Sequence, residues 1–109
     1  MFQPIDFDWD AANLSHIARH RVEPEEAEEA ATDPAGIPSG NTHRGPQGQR
    51  RAGTIGATED GRVLLVIFEF REHRVRVVTA YDASSEQRAR YYSGVAPTHS
   101  EETLSGRAK

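Results

Sequence analysis

Cysteine is absent from all 109 residues, which removes disulfides, thiolate metal sites and cysteine nucleophiles together. A chain of this kind suits a reducing compartment, and a cytoplasmic location is expected. Lysine is nearly absent too. Lys109 stands alone among 13 basic residues, so arginine carries the positive charge, and its planar fork favours bidentate contact with phosphate or carboxylate. Long apolar runs are missing. The longest covers residues 63–68, far short of the roughly 20 residues a membrane-spanning helix needs. The first ten residues hold acids and no apolar stretch, so no secretory leader is expected. Neither a phosphate-cradling glycine loop nor a Gly-x-Ser-x-Gly elbow occurs, which argues against those phosphate-binding and hydrolase scaffolds.

What is present fits one small domain. Hydrophobic residues make up 36% of the chain, and a chain this short buries only roughly 65% of its unfolded surface, so the core must be thin. A domain over residues 1–94 with a polar tail over 95–109 is expected. Acids outnumber bases 17 to 13, an unusual balance for a protein that grips phosphate. The excess is local, however. Glu23, Glu25, Glu26, Glu28, Glu29 and Asp33 fall in one short stretch, whereas residues 40–91 hold nine arginines against six acids.

Hydrophobic patterning gives the order of elements. Ile5-Asp6-Phe7-Asp8-Trp9 alternates with period two, as a half-buried strand does. Asp10 can cap a helix over residues 11–20, with Leu14 and Ile17 toward the core. Pro24 suits the first position of a second helix, its carboxylates lie at the positive end of the helix dipole, and Asp33-Pro34 ends it. Residues 35–48 read as a loop. Three strands follow, over residues 51–58, 63–68 and 74–81, joined by an Asp60-Gly61 turn and by Arg71-Glu72-His73. Gly53 and Gly56 interrupt the first of these and are expected to mark a bulge. Ser84 or Ser85 caps a last helix that Gly94 closes. The predicted fold is α+β: a two-layer sandwich in the order strand-helix-helix-strand-strand-strand-helix, with an antiparallel sheet and the helices on one face.

Metal-free RNA cleavage needs a base for the 2′-hydroxyl, a cation for the phosphorane and an acid for the leaving oxygen. Histidine, arginine, glutamate and tyrosine can fill those roles. His16 and His20 share a helix face. They could hold one metal, but Ile17 stands where the zinc-protease pattern requires glutamate and no third ligand is near in sequence, so no metal or cofactor is expected. His20 is therefore a candidate base or phosphate contact. Arg51, Arg74 and Arg76 lie on strands and Arg88 and Arg90 on the last helix; they suit phosphate, or pairing with Glu69 or Glu72 across the sheet. Trp9, Tyr81 and Tyr91 can stack on unpaired bases or seal the edge of a core.

The ordered residues resemble the BrnT-like toxins. Trp9-Asp10, a helix ending at His20, then Val22, Glu25-Glu26-Ala27 and Asp33-Pro34 follow that family's opening. Arg51 ahead of Ile55-Gly56, Gly61-Arg62, and Arg76-Val77-Val78-Thr79-Ala80 with Ala83, Arg88 and Tyr91 follow its middle and end. The resemblance implies a ribonuclease shaped like the RelE-like toxins. It implies a small antitoxin, often of ribbon-helix-helix type, and a self-repressing complex. Carried over by position, Trp9, His20, Arg51, Arg76 and Tyr91 would be site residues, with His20, Arg51 and Arg76 catalytic and Trp9 and Tyr91 binding substrate; Tyr81 and Arg88 join the substrate-binding candidates on their own chemistry. The alternative is a catalytically degenerate member acting as a protein-binding module, because the sequence departs from the pattern. Tyr81 and Asp82 replace two cations, Arg21 replaces a glycine, and His16 replaces an asparagine.

Overall fold

The apolar run of residues 63–68 becomes the middle of a sheet. In the computed structural model, which describes residues 5–40 and 43–94, strand β5 (Val63–Arg71) is flanked by β4 (Arg50–Ala57) and β6 (Arg74–Asp82), both antiparallel to it. Its side chains alternate between two cores, as a strand covered on both faces requires. Leu64 and Val66 join Ile17, Val22, Ala27, Ala30, Val77 and Ala80 on one side; Val63 and Leu65 join Ile37, Ile55 and Ala83 on the other.

The α+β class and the helices packed on the sheet hold. Several details differ from the pattern expected. The sheet is mixed: β1 (Asp6–Phe7) pairs in parallel with β6. The stretch expected to be loop contains β2 (Ile37–Pro38) and β3 (His43–Arg44), both antiparallel to β4. Two-residue strands carry no readable periodicity, and the edge position tolerates Pro38, whose missing N–H costs no ladder bond on the solvent side. The helices divide between the faces. Helices α1 (Ala11–Ala18) and α2 (Pro24–Ala31) cover the first core, while α3 (Ser85–Ser93) sets Tyr91 against the second.

Helix α1 begins as its cap predicts, with the Asp10 carboxylate accepting from the N–H groups of Ala12 and Asn13. Leu14 does not face the core and is 38% exposed; the inward stripe is Asn13 and Ile17. The reason is the edge of β6. Beyond β1 that edge is open, and buried Asn13 fills it, donating from Nδ2 to the carbonyls of Val77 and Asp8, both at 2.9 Å. Gly56 does not mark a bulge, which lies instead between β5 and β6 at Ile67/Phe68. A Cβ on Gly56 would collide with the Ala30 carbonyl, and one on Gly53 would lie 2.6 Å from the Ser39 hydroxyl, so both glycines permit close approach. The polar tail expected from residue 95 lies outside the described residues.

Candidate functional site

Strand register assembles the first part of the site. Arg51 pairs with Glu69, and Glu69 with Arg76, so the three stand abreast on β4, β5 and β6. Alternation along β5 puts Glu69 on the same face as Leu65 and Ile67. Glu69 is 1% exposed and bridges two guanidiniums: Arg51 Nε donates at 2.9 Å, and Arg71 donates from Nε at 3.0 Å and Nη2 at 2.8 Å. Burial pushes this carboxyl up, but the hydrogen bonds and charge of Arg51 and Arg71 outweigh burial and hold it below the usual glutamate range. Glu69 is therefore an anionic anchor and a poor base.

Arg76 is fixed from the other side. Its Nη1 and Nη2 donate to the Asp10 carboxylate at 2.9 and 3.1 Å, with Asp8 at 3.7 Å. The hydrogen bond from Arg76, aided by the Asn13 N–H, holds Asp10 below the usual aspartate range. The capping residue of α1 thus also ties that helix to β6. Ala12, Asn13 and His16 then close a cleft of about 260 Å³ whose remaining lining is Arg51, Glu69, Arg71, Arg76 and Val78. The lining carries three guanidiniums against one carboxylate.

The helix expected to run to residue 20 ends at Ala18, and in the turn that follows the His20 ring lies 6.2 Å from that of His16 and 5.3 Å from that of Tyr81. His20 and Tyr81 line a second hollow, of about 470 Å³, with Arg19, Arg21 and Asp82. Among the described residues no group of three or more metal-ligating side chains gathers at the two histidines.

The residues singled out from sequence are thus only partly gathered. Arg51 and Arg76 share the cleft, and His20 and Tyr81 share the adjoining hollow. Trp9 lies with the first core, its Nε1 donating to Glu28 at 2.7 Å. Tyr91 packs on the second core and donates to Asp33 at 2.5 Å. Arg88 donates to the Ala83 carbonyl at 2.9 Å. Sequence reasoning gave His16 only a metal or packing role and read Arg71 as part of a turn. Glu69 carried a usable signal: an acid continuing an apolar strand must find cations if it is buried.

These features define a class: a small α+β protein with a guanidinium-lined, histidine-edged cleft at the open edge of its sheet. The model for the family "ribonuclease toxin, BrnT, of type II toxin-antitoxin system" matches residues 9–87, and the chain belongs to that family. Membership implies an RNA target and an antitoxin partner. No curated protein matches the chain. Among the described residues no helix is long and apolar enough to cross a membrane.

Proposed function

We propose that this protein is the toxin of a cytoplasmic toxin–antitoxin pair and cleaves RNA without a metal, using the cleft between α1 and the β4–β6 strands. Arg51, Arg71 and Arg76 hold the scissile phosphate and offset the charge that builds on the phosphorane. An imidazole of the His16–His20 pair takes the proton from the 2′-hydroxyl, whose oxygen attacks phosphorus. The P–O bond to the 5′-oxygen breaks, and that oxygen receives a proton, leaving a 2′,3′-cyclic phosphate and a 5′-hydroxyl. Histidine suits both transfers because imidazole exchanges protons near neutrality. The ribbon-helix-helix antitoxin expected from the family would neutralise the toxin by covering it.

The observation that carries this reading is the lining of the cleft, three guanidiniums and His16 against one carboxylate. Incubation of purified protein with RNA in excess chelator tests it. Cleavage to cyclic-phosphate ends is expected; intact RNA together with normal growth on expression contradicts it. A second reading, a non-catalytic binding module, draws on the pairing of Arg76 with Asp10 and of Arg51 with Glu69. It predicts a stable complex with a partner protein and no cleavage.

A further inference from the structure

The hollow beside the cleft is lined by Arg19, His20, Arg21, Tyr81 and Asp82. Arg21 adopts φ 59°, a left-handed conformation that a long side chain enters only at a cost. It closes α1: the Arg21 N–H donates to the Ala18 carbonyl and the Val22 N–H to the Ile17 carbonyl, a hydrogen-bond arrangement that favours glycine. In this chain a guanidinium stands there instead, at the rim of a hollow that also holds His20 and Tyr81.

The turn bearing His20 and Arg21 is held firmly. Arg62 donates to the carbonyls of Arg21 at 2.8 Å and His20 at 3.3 Å, and to the carboxylates of Asp82 at 2.8 Å and Glu26 at 3.1 Å. One guanidinium therefore pins the end of α1 to β6 and the start of α2, and occupies the Asp82 charge. Among the described residues neither Arg19 nor Arg21 forms an ion pair. The hollow thus offers an aromatic wall, a tilted imidazole and two cations. At about 470 Å³ it falls within the roughly 300–1,000 Å³ typical of ligand sites. The cleft for the phosphate adjoins it through the His16–His20 step.

We infer that this hollow is a nucleobase subsite for single-stranded RNA: an unpaired base stacks on Tyr81 beside His20, and Arg21 with Arg19 holds the phosphate next to it. Aromatic faces accept any base, whereas bases inside an A-form duplex are not presented for stacking. Arg62 is a positioning residue for this subsite.

The inference rests on the RNA reading above, and its test separates the two. Binding of a fluorescently labelled, 2′-O-methylated single-stranded hexanucleotide, which cannot be cleaved, is measured in chelator, beside a duplex of the same sequence. Tyr81→Leu is expected to weaken single-strand binding on the order of tenfold and Tyr81→Phe to bind like the unsubstituted protein. Arg21→Gly is expected to weaken it and to lower the slope of log affinity against log salt by roughly one, with thermal melting showing each variant folded. Unchanged single-strand affinity in folded Tyr81→Leu overturns the subsite, and cleavage of unmodified single-stranded RNA by the same protein preparations would leave the ribonuclease reading standing. Binding that depends on Tyr81, with unmodified single-stranded RNA left intact by the same protein, supports the subsite and sinks the nuclease. No binding of either oligonucleotide overturns the subsite as well.

Discussion

Arg21 and Glu69 both line the candidate site and are both placed at a cost. Arg21 sits in left-handed backbone, where a non-glycine residue carries about 1–3 kcal/mol of strain, partly balanced by the greater chain entropy that glycine loses on folding. Arg21→Gly should therefore raise stability by about 1 kcal/mol, read by urea denaturation, while weakening RNA binding. A drop in stability would show that the guanidinium is structural. Glu69, buried between Arg51 and Arg71, keeps two cations on the floor of the cleft. Removing its charge leaves those guanidiniums without a partner. Glu69→Gln is predicted to destabilise by about 1–3 kcal/mol, discounted because both arginines are part-exposed. An unchanged midpoint would mean that solvent already satisfies them.

At the level of elements, sequence and structure part where pairing is long-range or very short. The three long strands, the caps at Asp10, Ser84 and Gly94, and the turn at Gly61 follow local rules of periodicity and φ preference and were readable; the turn at Glu72 was read from its run of charged residues, although Glu72 itself sits at φ 56°. The parallel docking of β1 on β6 was not, because nothing within five residues records which neighbour a strand will choose. The two-residue strands β2 and β3 are defined by their partner β4 rather than by their own composition. The site shows the same division. Counting back from the tight turn between Arg71 and Arg74 puts Glu69 opposite Arg76, so that half of the cleft lay in the sequence. That α1 fills the open edge of β6, and brings His16 over the arginine row, depends on the tertiary bonds of Asn13. Gly56 is the point where α2 meets β4 most closely. Gly56→Ala should force the Ala30 carbonyl outward and cost about 1–3 kcal/mol, measured by thermal unfolding; full stability in that variant would show that α2 can shift without loss.

Over the whole molecule the sheet separates charge: the acidic helix α2 covers one face, and the arginine row belongs to the other. This reconciles a net charge of −4 with a cationic cleft. Titration should reach the fold from both ends. Burial pushes Asp33 up, but hydrogen bonds from Tyr91 and from the N–H groups of Ala57 and Ala35 outweigh it and hold Asp33 below 3.8. Its contribution is present above that value and is lost as pH falls through the lowered pKa. The Asp33 hydrogen bond pushes Tyr91 up to about 12 from 10.0. This second contribution is complete below 10.0 and is lost as pH rises toward 12. Tyr91→Phe should lower stability by about 1 kcal/mol near neutrality and flatten the alkaline limb, followed by urea midpoints across pH. An alkaline limb unchanged by the substitution would assign it to another group. The central claim is that the Arg51–Arg71–Arg76 cleft stabilises the transition state of RNA scission. Its most direct test is the single-turnover cleavage rate of Arg76→Gln in chelator, with folding verified by circular dichroism. Loss of one such cation should slow cleavage on the order of 10²–10³-fold; a folded variant cutting at the original rate would contradict it.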